Sequence, residues 1–326
     1  MRLKKAYMLG ATLAMTVAMA SLGMAQEVVK LDPGFPAYQP VSGVSGNLSS
    51  VGSDTLNNLM TLWAEEFNKF YPNVKVQVEG KGSSTAPPAL ISGTAQIAPM
   101  SRPMKETEID QFEKKFGYKP TPIRVAVDAL AVFVNKDNPL KCLTLAQLDA
   151  IFSKSRRTGY KENIKTWGQL GVAGEWGNRP ISLYGRNSAS GTYGFFKEHV
   201  LKNGDYKDEV KEQPGSASVV QGVTVDRYAI GYSGIGYVTA GVRAVPLAEK
   251  EGQCIEPTPT NAYAATYPLA RFLYIYVNKP PSHALDPLTH EFIKLVQSKQ
   301  GQEVVVKDGY FPITADLARE ELGHIQ

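Results

Sequence analysis

The chain has 326 residues, 43 % of them hydrophobic, with 35 Lys and Arg against 31 Asp and Glu for a formal charge of +4. Met1-Arg2-Leu3-Lys4-Lys5, the apolar run from Ala6 to Met24 and the small-x-small Gly23-Met24-Ala25 make residues 1–25 a cleavable export signal, and losing its three cations leaves about +1. So nearly neutral a mature chain gives no electrostatic case for nucleic acid or a membrane surface, and its length of roughly three hundred residues exceeds one comfortable core, so two domains are expected.

No second apolar span follows the signal and no cysteine stands near the cleavage point to take a lipid, so a free exported protein is expected. Residues 26–46 read as an N-terminal extension. Val51-Gly52-Ser53-Asp54-Thr55 then leads into Leu56, Leu59, Met60, Trp63, Phe67 and Phe70 at helical spacing, ended by Pro72. Val74, Val76 and Val78 alternate as a half-buried strand running into Gly80-Lys81-Gly82-Ser83-Ser84-Thr85, and Pro87-Pro88 fall where a first helical turn tolerates proline.

The same arrangement recurs further on. Pro180-Ile181-Ser182-Leu183-Tyr184 reads as a strand, Gly185-Arg186-Asn187-Ser188-Ala189-Ser190-Gly191-Thr192 as a tight turn, and Tyr193 to Leu201 as a helix. Such a turn leaves the first helical amides unpaired and aims the positive end of the helix dipole at one point, which suits an anion. Arg186 adds a planar fork of donors, and Ser188, Ser190 and Thr192 add hydroxyls. An ordinary Ser-capped helix beside a solvated arginine explains one such turn equally well. Three of them, each between a strand or coil and a helix start, converge on a small anion with mostly uncharged donors.

Asp128-Ala129-Leu130-Ala131-Val132-Phe133-Val134-Asn135-Lys136 and Leu269-Ala270-Arg271-Phe272-Leu273-Tyr274-Ile275-Tyr276-Val277-Asn278-Lys279 are both apolar runs ending in Val-Asn-Lys, and they read as paired hinge strands. The chain is thus expected to build domain one over residues 47–130, cross, build domain two over 131–267, and return through 268–326 with a helix around Leu288 to Val305. Strand-like and helix-like runs alternate throughout, which makes the fold class α/β, with ligands at the carboxyl ends of strands.

Cys142 and Cys254 are the only cysteines; in an oxidising compartment they form one disulfide, or else remain two buried thiols. His199, His283, His290 and His324 fall in no ligand spacing, so no metal and no cofactor is expected. Ser233 in Gly231-Tyr232-Ser233-Gly234-Ile235 approaches a nucleophile elbow but lacks its last glycine, and a tight strand turn explains it better. A secreted phosphatase would need a base-activated nucleophile or a metal pair, and the chain offers neither.

These residues resemble the periplasmic phosphate-binding proteins of ABC transporters, the PstS family. Arg186 followed by Ser190-Gly191-Thr192 matches the family's Arg-x-x-x-Ser-Gly-Thr loop, Gly82-Ser83-Ser84 its Gly-Ser-Ser loop, and Gly52-Ser53-Asp54-Thr55 its first loop. Gly301-Gln302 through Gly309-Tyr310-Phe311-Pro312 looks like the family's C-terminal segment. The resemblance spans nearly the whole mature chain. It implies a monomeric two-domain Venus-flytrap protein with two hinge strands, which closes over inorganic phosphate in the periplasm and delivers it to the membrane permease of an ABC transporter. Sulfate, molybdate or another tetrahedral oxyanion remains the alternative ligand, since such ions take similar donors.

One departure from the family bears on the site. Where many members carry a Ser-Asp pair whose aspartate accepts the proton of monohydrogen phosphate, this chain reads Met100-Ser101-Arg102-Pro103. Ser101 can still donate to an oxygen, and Arg102 either contacts the ligand or points to solvent. The proton acceptor is then Asp54, with Asp128 in reserve; a helix cap for Asp54 and a pairing across the hinge for Asp128 are the structural alternatives.

Overall fold

The computed structural model describes residues 29–326; the export signal and the first residues of the extension lie outside them. The first lobe begins with β1 (Gly46–Val51), α1 (Asn57–Phe70), β2 (Val74–Glu79), α2 (Ala86–Ser92), β3 (Ala98–Met100) and α3 (Glu106–Phe116). Short 3-10 turns at Asp54–Leu56 and Ser83–Thr85 stand between the strand ends and α1 and α2. In α1 the periodic side chains Leu59, Met60, Trp63 and Phe67 are all buried, and Trp63 Nε1 donates to the Gly301 carbonyl at 2.8 Å, which ties the helix to the end of the chain.

The chain crosses on β4 (Thr121–Asn135), then adds β5 (Leu143–Thr144), α4 (Leu145–Phe152), β6 (Ser182–Arg186), α5 (Gly191–His199), β7 (Lys211–Gln213) and α6 (Ser216–Val225). β8 (Ala229–Gly234), β9 (Val242–Ala244), β10 (Leu247–Ala248) and α7 (Pro259–Tyr263) complete the second lobe. The return runs through β11 (Ala270–Val277), α8 (Pro287–Val296), α9 (Lys299–Lys307) and α10 (Ala315–Gly323). The expected single closing helix is two: Ser298 accepts the Gly301 amide at 3.3 Å and starts α9 afresh, so the apolar periodicity carries across a break.

β4 is the strand that joins the lobes. Its residues 121–129 pair antiparallel with β11, and residues 130–134 pair antiparallel with β8, so the partner changes between Ala129 and Leu130. The two Val-Asn-Lys runs therefore meet only at their starts, as Ala129↔Ala270 and Asp128↔Arg271, and their Asn-Lys ends diverge because the pairing is antiparallel. One sheet, ordered β3-β11-β4-β8-β6-β7 with β9 beside β4, runs through both lobes. β1 and β2 pair in parallel beside it, and a bridge from Ser50 to Ile97 links them to the segment before β3.

Segments at both ends of the described chain pack across this frame. Phe35 and Tyr38 of the extension are buried, and Asp32 accepts the Ala315 amide at 2.9 Å. Phe311 bridges to Val127 of β4, while Gln302 donates to the Val125 carbonyl at 3.0 Å and accepts the Ile313 amide at 3.0 Å. Among the described residues no helix is long and apolar enough to cross a membrane.

Cys142 and Cys254 are bridged, with Cα atoms 6.0 Å apart, across a separation of 112 residues and beside the parallel pair β5–β10. Closing a loop of this size restricts the unfolded chain by about 4.7 kcal/mol in the chain-entropy model, an upper figure for what the bridge adds. Replacing both cysteines by alanine is expected to lower the urea midpoint of the oxidised protein clearly. An unchanged midpoint would show that the bridge does not hold the second lobe.

Candidate oxyanion site

Four strand ends meet where the lobes face each other. β1 delivers Ser53, Asp54 and Thr55, β2 delivers Ser83 and Ser84, β3 delivers Ser101 and Arg102, and β6 delivers Arg186 and the loop to Ser190, Gly191 and Thr192. These are carboxyl ends of strands leading into helices or short turns, the place where α/β sheets gather ligand groups. Ser53, Thr55, Ser83, Ser101, Ser190 and Thr192 are all buried.

Their hydroxyls converge. Ser53 Oγ donates to Ser101 Oγ at 3.0 Å, Ser83 Oγ lies 3.3 Å from Ser101 Oγ and accepts the Ser101 amide at 3.1 Å, and Thr55 Oγ1 and Thr192 Oγ1 are 2.8 Å apart. Ser190 Oγ caps α5 by accepting the amides of Thr192 at 3.1 Å and Tyr193 at 3.3 Å. Since the oxygen accepts both bonds, the hydroxyl proton stays available to an outside acceptor.

Gly191 fixes how near the lobes come. A Cβ there would stand 2.2 Å from Ser83 Oγ and 2.6 Å from Ser101 Oγ, so only glycine lets the start of α5 reach the first lobe's serines. Gly82, with φ +115°, makes the second close approach: a Cβ on it would lie 2.5 Å from the Ala189 carbonyl, the group that accepts the Ser84 amide at 3.0 Å.

Arg186 is 1 % exposed. Its Nη1 donates to Ser216 Oγ at 2.6 Å and its Nη2 to the Pro214 carbonyl at 3.1 Å, with Asp54 Oδ1 also 3.1 Å from Nη2. Its Nε is buried and has no acceptor among the described residues. Burial presses the guanidinium's pKa down from its ordinary value, and the charge of Asp54 works against that. A buried donor without an acceptor is uncommon in folded proteins and calls for one.

Asp54 does not cap its own helix. Its Oδ1 accepts the amide of Ser216, the first residue of α6, at 2.7 Å, so a carboxylate of the first lobe caps a helix of the second. Two phenols hold its loop: Tyr237 donates to the Asp54 carbonyl at 3.0 Å and Tyr310 to the Thr55 carbonyl at 2.9 Å. Burial keeps both phenols protonated well beyond their usual range.

Arg102 and Asp128 both find partners within the protein. Arg102 neither points to solvent nor has an unpaired charge: it is 6 % exposed and forks onto Glu108 of α3, with Nη2 to Oε1 at 2.7 Å and Nη1 to Oε2 at 2.8 Å. Its remaining reach goes to the Pro103 carbonyl at 2.9 Å and Ser84 Oγ at 3.4 Å, so Ser84 and Arg102 brace the rim. Asp128, the reserve proton acceptor, has both oxygens engaged: Oδ2 accepts Arg271 Nε at 3.0 Å and Nη2 at 2.8 Å, and Oδ1 accepts the Ile235 amide at 2.9 Å. Ser233 lies wholly buried inside β8, paired with Ala131, and forms no elbow.

The residue that sequence reasoning misses is Arg271. From β11 its Nη1 reaches the Ser101 carbonyl at 2.8 Å and its Nη2 reaches Thr192 Oγ1 at 2.9 Å. A signal was present: Arg271 in one apolar hinge strand and Asp128 in the other are isolated charges, and charges placed so deep must find each other. Ser216 and Glu108 carried no comparable mark. Among the described residues no group of three or more His, Cys, Asp or Glu could hold a metal ion.

Buried serine and threonine hydroxyls meeting between two α/β lobes, with a buried arginine supplied by one of the same loops, are the form of a periplasmic-type binding protein, and the model of the PBP superfamily domain matches residues 38–300. The chain belongs to that superfamily and, within it, to the PstS family. It is 59 % identical to the phosphate-binding protein PstS of Pseudomonas aeruginosa over 95 % of this chain and 96 % of that protein, and 32 % identical to protein SphX of Synechococcus elongatus over 75 % and 72 %. A phosphate ABC transporter substrate-binding protein from Clostridium perfringens, solved with bound phosphate, superposes with a TM-score of 0.69 at 25 % identity, covering 82 % of this chain and all of that one. An ABC-type phosphate transport receptor from Vibrio cholerae gives 0.62 at 27 % identity, again over 82 % of this chain and all of the other.

The glycine contact yields a direct test. Gly191→Ala leaves α5 free to form in an open molecule but drives a methyl into Ser83 and Ser101 on closing. Calorimetry is expected to show at least about tenfold weaker anion binding, more than 1.4 kcal/mol, with the unliganded protein melting within a few degrees of wild type. Undiminished affinity would show that the lobes do not meet at Gly191 in the bound state.

Proposed function

We propose that this chain is the periplasmic substrate-binding protein of a phosphate ABC transporter: it takes inorganic phosphate into the cleft and presents it, as a monomer, to the membrane permease. The observation that carries the reading is the buried Nε of Arg186, a charged donor without an acceptor, beside the capped start of α5 and a cluster of hydroxyls. An anion there receives a charge-assisted bond, the Gly191 amide at the start of α5 and hydroxyl donors, without a net positive field. The ligand set is Ser53, Thr55, Ser83, Ser101, Arg186, Ser190, Gly191 and Thr192. Its family relatives are substrate-binding proteins rather than enzymes.

The lobe limits belong to this reading. Residues 47–130 with 268–326 form one domain and 131–267 the other, supported by the change of partner on β4 between Ala129 and Leu130 and by the start of β11 at Ala270. Closure turns the lobes about these two strands. The signal at residues 1–25 supplies the route to the periplasm.

Asp54 is the proton acceptor in this account. Its Oδ1 is committed to Ser216 and Arg186, and at 20 % side-chain exposure it is the cleft carboxylate that is not fully enclosed, whereas Asp128 is. Monohydrogen phosphate donates a proton to such an oxygen, while sulfate, fully ionised, sets lone pair against lone pair. The runner-up ligand, a fully ionised tetrahedral oxyanion such as sulfate or molybdate, has no proton to give such an acceptor.

Titrating the stripped mature protein with phosphate, sulfate and arsenate in parallel tests the assignment. Phosphate and arsenate are expected to bind and sulfate to bind far more weakly; sulfate binding as tightly as phosphate would overturn it. In Arg186→Ala the loss of bonds worth about 1.5–3 kcal/mol each should weaken phosphate by at least tenfold, with only partial rescue by Arg186→Lys. Asp54→Asn, which can donate as well as accept, should narrow the phosphate-to-sulfate ratio, and a ratio left as in wild type would remove Asp54 from that role.

A further inference from the structure

Arg271 touches both lobes at once. On the first lobe it forks onto Asp128 Oδ2 at 3.0 and 2.8 Å and donates to the Ser101 carbonyl at 2.8 Å. On the second it donates to Thr192 Oγ1 at 2.9 Å, and the ring of Phe195 lies 5.1 Å from its guanidinium carbon. Asp128 continues the chain of bonds by accepting the Ile235 amide, just past β8, at 2.9 Å. The two side chains are 3 % and 0 % exposed.

A buried ion pair seldom stabilises a fold by itself, because desolvation of the two charges offsets their attraction. What this pair adds is direction. Asp128 and Arg271 stand opposite each other in the β4–β11 register, on the strands that join the lobes, so their mutual bond belongs to one sheet and survives a rotation of the second lobe. The contacts with Thr192 and Phe195 run to α5 of the second lobe and break when α5 moves away. Opening therefore releases the second lobe while the arginine charge stays paired, which keeps the cost of opening small.

We propose that Asp128 and Arg271 form a positioning latch that holds the start of α5 and the end of β8 against the hinge strands and so sets the fraction of closed molecules before any anion binds. The planar fork is required, since it serves Asp128, Ser101 and Thr192 together; an ammonium keeps the charge but cannot span the three. The inference rests on the phosphate-binding reading only for its second readout.

The first readout is small-angle scattering of the unliganded protein. Arg271→Lys and, independently, Thr192→Val should each show a larger radius of gyration than wild type, because the closed fraction falls. Phosphate should then dissociate about tenfold faster from Arg271→Lys, with an association rate within about twofold of wild type. Thr192→Val removes the acceptor, and with it the bond to Thr55, without disturbing the buried pair; compared with Thr55→Val, which removes only that second bond, it tests the latch even if Arg271→Lys folds poorly. Unliganded radii equal to wild type in both variants would overturn the latch, and weakened phosphate binding alongside equal radii would make Arg271 a ligand contact instead. Wild-type protein that fails to bind phosphate would count against the proposed function and leave the unliganded comparison standing.

Discussion

Two arginines buried at the meeting of two lobes, each beside one aspartate, are the constraint around which the structure is arranged. Arg186 lies against Asp54 and Arg271 against Asp128, with the two arginine side chains 1 % and 3 % exposed. A guanidinium held in so little water must have its charge answered and its donors filled. The aspartates answer the charge, and Ser216, Pro214, Ser101 and Thr192 fill the donors except for Arg186 Nε. The cleft is consequently close to neutral before it takes an anion, so selection falls to hydrogen-bond geometry and to the helix start of α5 rather than to a field spread over the surface.

Each pair has its partner from a distant part of the chain, and that fixes the topology. Asp54 follows β1 and Arg186 ends β6; Asp128 is on β4 and Arg271 on β11. Arg186 is paired only once the two lobes face each other, and Arg271 only once the chain has returned to the first lobe on β11. Tyr310 and Gln302, near the end of the chain, then bind back onto the Thr55 carbonyl and onto β4, so the C-terminal segment helps to set the first binding loop.

Much of this was legible in residues. The three Gly/Ser/Thr turns lie at strand ends facing one cleft, because glycine permits the backbone approach and serine or threonine supplies donors there, a local chemistry that leaves a local pattern. The two hinge runs were legible from their unbroken apolar character, though their pairing offset was not, since register depends on strand neighbours that sequence spacing does not encode. Leu288 to Val305 read as one helix because the apolar period continues over Ser298, and only the cap reveals the break. The partner of Arg102 was not legible for a related reason: it is Glu108 of α3, whose orientation follows from tertiary packing. Arg271 was hidden in plain view, as a lone charge inside an apolar strand that reads first as a hinge.

Capture of a dianion by a nearly neutral cleft, through enclosed and directed donors, makes a specific demand on salt dependence. The most direct measurement is the calorimetric affinity of the stripped mature protein for phosphate between about 50 and 500 mM salt, a range over which the screening length falls severalfold. Enclosed donors at a balanced site predict binding at both ends of that range with affinities within a few fold of each other. No binding, or an affinity that falls by more than about tenfold as salt rises, would show that a surface field carries the interaction and would contradict capture by enclosed donors.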